Sequence, residues 1–203
     1  MKSEPYRCPL ADDLYTQVIR FEKSIPSLRR RLRPYISSVP FVPPKLSIQA
    51  FGRAIVELDG KPVTTPEWQN QKRVREFFFY MMAHPDGSTK DEIGVAFWPE
   101  SSAGQLKLQF KNVIYRLRFS LGQDVISFQD DLYWFNRHLD YDYDVEAFLN
   151  KLEQARVEQS QEGKAMLLRE AIDIVKGEYL SEFDSLWVVI EREKLRQFYV
   201  NAA

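Results

Sequence analysis

The stretch Ser88–Gly122, STKDEIGVAFWPESSAGQLKLQFKNVIYRLRFSLG, contains two helix starts and two helix stops. Thr89 stands three residues before Glu92, and Ser102 three before Gln105. Each pair has the spacing at which a hydroxyl caps the first turn and the acid or amide reaches back to the cap. Pro99 cannot continue a helix, so the first ends at Trp98; Gly122 ends the second. Ile93, Ala96 and Phe97 form the inward side of the short helix. With 100° per residue, Leu106, Phe110, Val113, Ile114, Leu117 and Leu121 fall within about 100° of one another. The second helix is therefore long, amphipathic and anchored along one stripe.

Its outward side is chemically one-sided. Leu108, Lys111, Asn112 and Tyr115 face away from the stripe, flanked by Lys107, Arg116 and Arg118. From Lys107 to Gly122 there are four basic residues and no carboxylate, whereas an ordinary surface helix mixes signs. Lys and Arg suit phosphates or guanine edges, and Asn pairs bidentately with adenine. Tyr115 suits a phosphate, and Leu108 a thymine methyl. A duplex-reading face fits these residues; a solvated or protein-binding face remains the alternative.

Outward from this stretch, the apolar period changes. LSIQAFGRAIVELDGKPV (46–63) alternates and carries Asp59-Gly60, a hairpin turn signal, so two or three short strands are expected over 46–64. In NQKRVREFFFYMMAHPDG, Val74, Phe77, Phe78 and Met81 recur at i, i+3, i+4 and i+7, a buried helix closed by Pro85 and Gly87. Lys72, Arg73 and Arg75 open that helix as further candidates for backbone contact. Trp98-Pro99 reads as packing, and Phe77–Tyr80 as core. DVISFQDDLYWFN gives two aromatic-rich strands around Asp130-Asp131. The predicted order is strands, three helices, hairpin: a small antiparallel sheet, a tri-helical core and a wing.

The last third reads as helical. Val145, Phe148, Leu149, Leu152 and Ala155 form one stripe; Ala165, Leu168, Ala171, Ile172 and Val175 form another; Trp187, Leu195 and Phe198 mark a third helix. Paired helices of this kind need a neighbour to cover their last face, so 138–203 is expected to be the start of a truncated helical domain. At the other end, Leu14, Val18, Phe21, Ile25, Leu28 and Leu32 suggest a helix over 9–33, interrupted by Pro26. LRRRLRP (28–34) is either a clamp for phosphates or acidic lipid or a solvated helix face, and the prolines of SSVPFVPPK form a linker ending near Lys45.

The net charge of −1 over 203 residues conceals a gradient. Residues 1–45 carry nine basic and four acidic groups, 46–137 eleven of each, and 138–203 eight basic and fourteen acidic. Attraction to phosphate must come from local patches. Cys8 alone excludes an internal disulfide or a cysteine zinc site, and His84 and His138 leave little for metal chemistry. No cofactor or metal is expected. No phosphate-binding glycine loop or nucleophile elbow is present, and the pairs Asp12-Asp13 and Asp130-Asp131 lack partners for catalysis, so no enzyme is expected. Without an apolar span or signal core, a cytoplasmic location away from the membrane is expected.

FGRAIVELDGKPV, WQNQKRVREFFFYMMAHPDGSTKDEIGVAFWPE and KNVIYRLRFSLG together resemble the OmpR-type winged-helix domain of the Streptomyces antibiotic regulatory protein group, in its multidomain-regulator branch. YDVEAFLNKLEQA, LLREAIDIVKGEYLSEF and WVVIEREKLRQFY resemble the bacterial transcriptional activator domain that follows it, a tetratricopeptide-like bundle. The resemblance implies an α+β winged helix at 46–137, preceded by the 1–45 segment and followed by an all-α, tetratricopeptide-like stretch at 138–203. It implies a DNA-binding transcription regulator whose third core helix enters the major groove. The implied partners are double-stranded DNA, a second copy or further domains of a longer chain, and RNA polymerase. One departure supports the alternative of a non-catalytic interaction or relay module. The group usually carries a glycine-containing wing tip, often with basic residues nearby, whereas here the tip is Gln129-Asp130-Asp131-Leu132, and its two carboxylates repel phosphate.

Overall fold

Alternation and turn chemistry place the first strands. In the computed structural model, which describes residues 46–122 and 125–202, β1 (Leu46–Gln49), β2 (Ile55–Leu58) and β3 (Lys61–Pro62) form an antiparallel meander. The expected helix at 9–33, the basic run at 28–34, the proline linker, Cys8 and Asp12-Asp13 lie outside the described residues. Asp59 and Gly60 both have positive φ, 54° and 70°, between the paired Leu58 and Lys61. That is the two-residue turn whose twist matches the strands.

The core helices follow in the expected order. A short α1 (Pro66–Gln69) precedes α2 (Lys72–Ala83), α3 (Lys90–Phe97) and α4 (Ala103–Leu121). Both capping boxes form. Glu92 N donates to Thr89 Oγ1 at 3.2 Å while Thr89 N donates to Glu92 Oε2 at 2.8 Å. Gln105 N donates to Ser102 Oγ at 3.4 Å, and Ser102 N to Gln105 Oε1 at 2.9 Å. α2 is the centre of the core, with every residue from Phe77 to Met82 buried. Phe77 meets Phe97 and Phe110 at ring-centre distances of 5.5 and 5.9 Å, and Phe78 meets Trp68 and Phe135 at 5.7 Å each. Burying one such ring contributes roughly 2–3 kcal/mol. α3 and α4 approach closely at Gly94, where an added Cβ would lie 2.8 Å from Leu106 Cδ2.

The hairpin β5 (Ile126–Gln129) and β6 (Leu132–Phe135) pairs through Gln129↔Leu132 around Asp130 and Asp131. These two have φ of 51° and 61°, so the turn takes the same left-handed geometry as Asp59-Gly60 without a glycine. A further strand, β4 (Ser88–Thr89), pairs with β6 and makes the second sheet three-stranded, in the order β4-β6-β5.

The expectation that 138–203 is all-α needs correction. β7 (Tyr141–Tyr143) lies parallel to β1 as the fourth strand of the first sheet, whose order is β3-β2-β1-β7. Tyr141 and Tyr143 are buried and Asp142 is exposed, an alternation too short to show as a period. Three helices follow: α5 (Asp144–Val157), α6 (Gln161–Ile174) and α7 (Leu186–Ala202). α5 and α6 pair, bridged by Lys151 Nζ and Glu170 Oε2 at 2.5 Å. Val145, Phe148, Ala155, Ala171 and Leu195 are buried as their periods require. Ala165 and Phe198, expected inward, are exposed.

These helices are joined to the sheet through polar contacts. The Asp144 carboxylate accepts from Ala50 N, Phe51 N and Val145 N at 2.8–2.9 Å. Burial pushes this carboxyl up, against the pull of those N–H donors. Leu180 N donates to Ala50 O at 2.7 Å, and Gly52 N to Glu178 O at 2.9 Å. The Arg192 guanidinium donates to the carbonyls of Tyr179, Leu180 and Phe183 at 2.8–2.9 Å, fixing that segment against α7. At the head of α7, Trp187 Nε1 donates to Glu76 Oε1 on α2 at 3.3 Å.

Candidate nucleic-acid interface

α4 is held along one stripe and bare along the other. Phe110, Val113, Leu117 and Leu121 are buried, while Leu106 and Ile114 pack half-buried against the same core. Phe110 sits edge-on to Tyr133 of the hairpin at 4.6 Å, so the helix and β6 share one aromatic contact. On the outward side Lys107, Leu108, Lys111, Asn112 and Tyr115 are exposed. Arg116 is half-buried on one flank. Arg118 is half-buried on the other and turned to the hairpin, where Nη2 donates to Ile126 O at 3.5 Å. Its Nε is buried without a hydrogen-bond partner among the described residues.

Between α4 and the hairpin lies an open cleft of about 660 Å³. Lys90, Lys107, Lys111 and Arg118 give it positive charge, and among the described residues no carboxylate lines it. Its walls are aromatic: Phe110 and Tyr133 at the floor, with Tyr115, Phe119 and Phe128 at the rim. Asp130 and Asp131 are exposed at the hairpin tip, outside this lining. Their influence reaches Tyr133, whose hydroxyl is pushed up mainly by burial and then by the Asp131 charge, with Arg118 opposing.

The cations at the start of α2 stand apart from the cleft. Arg75 Nη1 donates to Trp68 O at 3.1 Å and Gln69 O at 2.7 Å, and its Nη2 lies 3.5 Å from Glu182 Oε2. Lys72 Nζ is 5.4 Å from the centre of the Phe183 ring, and Arg73 is exposed. Lys72 and Arg75 thus meet the segment that leads into α7, and none of the three lines the cleft.

The sequence reading missed Lys90, Phe119, Phe128 and Tyr133. Phe119 has a signal, since it stands four residues after Tyr115 on the same helix face, and the two rings stack at 6.4 Å. Lys90 had a fainter one: a cation in a helix's first turn opposes the dipole, and this position usually favours acids.

By class, the described residues form an α+β fold in which two small sheets and a helical core carry a basic cleft, followed by three further helices. No protein-family model matches the chain, and no curated protein matches it. Among solved structures it is similar to Mycobacterium tuberculosis EmbR in complex with a low affinity phosphopeptide, with a TM-score of 0.62 and 18% identity. The likeness covers 77% of this chain and 43% of the EmbR chain, so the chain spans less than half the length of that neighbour. At this identity the likeness is one of fold.

Among the described residues no helix is long and apolar enough to cross a membrane, and no group of three or more His, Cys, Asp or Glu is arranged to hold a metal ion.

Proposed function

We propose that the chain is a DNA-binding module of a transcription regulator, with a winged-helix unit at about 46–137 and a tetratricopeptide-like helical unit after it. α4 enters the major groove, and the helical unit serves dimerisation or signal relay. The observation that carries this reading is the acid-free, basic outer face of α4, continuous with a cleft whose described lining holds four cations. The element order and the EmbR-like fold support it at the level of architecture. The proposed partners are duplex DNA, a second copy or further domains of a longer chain, and RNA polymerase, in the cytoplasm.

Fluorescence anisotropy with mixed-sequence duplex at ~50 mM salt, where phosphate contacts are strongest, tests the reading. Lys111→Glu with Arg116→Glu is expected to weaken binding about tenfold or more. Binding equal to the parent's removes this face from the interface. The exposed carboxylates of Asp130 and Asp131 favour a second reading, a protein-interaction or relay module that keeps the winged fold without reading DNA. Lack of any duplex binding in the same assay selects it.

A further inference from the structure

Duplex phosphates account for the cations of the cleft but not for its rim. Tyr115, Phe119 and Phe128 are 66%, 57% and 53% exposed, and leaving apolar rings in water costs free energy that charge contacts do not recover. In a duplex the base faces are stacked on one another and only their edges are presented to a protein. An unpaired base offers its whole face, and ring-on-base stacking tolerates any sequence.

The spacing fits such a strand. Lys107 and Lys111 are one helical turn apart, as are Tyr115 and Phe119, so charge and ring each recur at steps of about 5–6 Å. Opposite them Phe128 lies against Tyr133 at 4.4 Å, a two-ring wall on the hairpin. An acidic peptide supplies the charge but no flat apolar face at each step.

We infer that the cleft between α4 and the hairpin takes unpaired nucleotides, with phosphates on Lys107, Lys111 and Arg118 and bases against Phe119 and Phe128. This rests on α4 being a nucleic-acid face, and it assigns the cleft a ligand that a purely major-groove reader does not need.

The test uses the full chain and fluorescence anisotropy at ~50 mM salt with three probes. They are oligothymidine of about 20 nucleotides, the duplex it forms with oligoadenine, and polyglutamate as a charge-only probe. Phe119→Ala with Phe128→Ala is expected to weaken oligothymidine binding about tenfold or more and duplex binding less than about twofold. Phe119→Leu with Phe128→Leu, which keeps apolar bulk and removes the ring faces, is expected to act in the same direction. Lys107→Glu with Lys111→Glu is expected to weaken both nucleic acids. Circular-dichroism melts of each variant check the fold.

If oligothymidine does not bind, or folded ring variants bind it like the parent, the inference is overturned while duplex binding leaves the DNA reading in place. Polyglutamate binding as tightly as oligothymidine overturns it in favour of an acidic peptide. Binding to oligothymidine without binding to duplex supports the inference and removes the major-groove reading; binding to neither removes both.

Discussion

Asp130 and Asp131 close the hairpin in a conformation that L side chains resist, at φ of 51° and 61°. The cost of the left-handed region is roughly 1–2 kcal/mol for most residues with a Cβ and less for Asp, and the equivalent turn between β2 and β3 places Gly60 at its second central position. Asp131→Gly is therefore expected to stabilise the fold by about 1 kcal/mol, read as a higher urea midpoint at unchanged slope. The same change removes one carboxylate from the hairpin tip beside the cleft. At this scale the sequence showed which α4 residues face outward, because helical period alone fixes that. It did not show that Phe128 lines the cleft. Ile126 and Phe128 share a face of β5 and stand opposite Phe135 and Tyr133. Alternation correctly puts Phe128 on the inner side, but the core ends one pair earlier and the ring hangs over the cleft.

The elements that were legible are those whose ends are written locally. Thr89 with Glu92 and Ser102 with Gln105 each declare a helix start within four residues, and both boxes form as spaced. Ser102→Ala is expected to cost about 1 kcal/mol, and Thr89→Ala a similar amount, by urea denaturation. The two are expected to add, because the boxes share no partner. The Glu92 carboxyl is held below its usual range chiefly by the Thr89 backbone N–H. A depressed folded pKa means this contribution is complete above the unfolded value of about 4.3 and is lost as pH falls through the folded one. What stayed illegible were β4 and β7, of two and three residues. Strands so short exist only because a partner strand waits for them, and that partner is remote in sequence. The cleft was illegible for a similar reason, since α4 and the hairpin contribute to it from separate elements.

In the whole molecule, the acid-rich last third is the mechanical continuation of the sheet. Asp144 joins them by accepting three backbone N–H groups, two of them from Ala50 and Phe51 just past β1. Asp144→Ala leaves those donors unmet and is expected to destabilise the chain by about 2–4 kcal/mol, with a lower urea midpoint. The gradient of charge also finds a place: the surplus of acid beyond residue 138 belongs to the helical segment and the strand that feeds it, and the described lining of the basic cleft contains none of it. The parallel pairing of β1 with β7 carries a consequence for synthesis. β1 is made more than ninety residues before the strand that covers its open edge, and Ala50 waits still longer for the Leu180 N–H. While the chain is growing, helices α1–α4 have local sequence enough to begin forming, but β1 shows the ribosome and its chaperones an unpaired edge. The unit that would read DNA is completed only when the segment that would relay its signal has emerged.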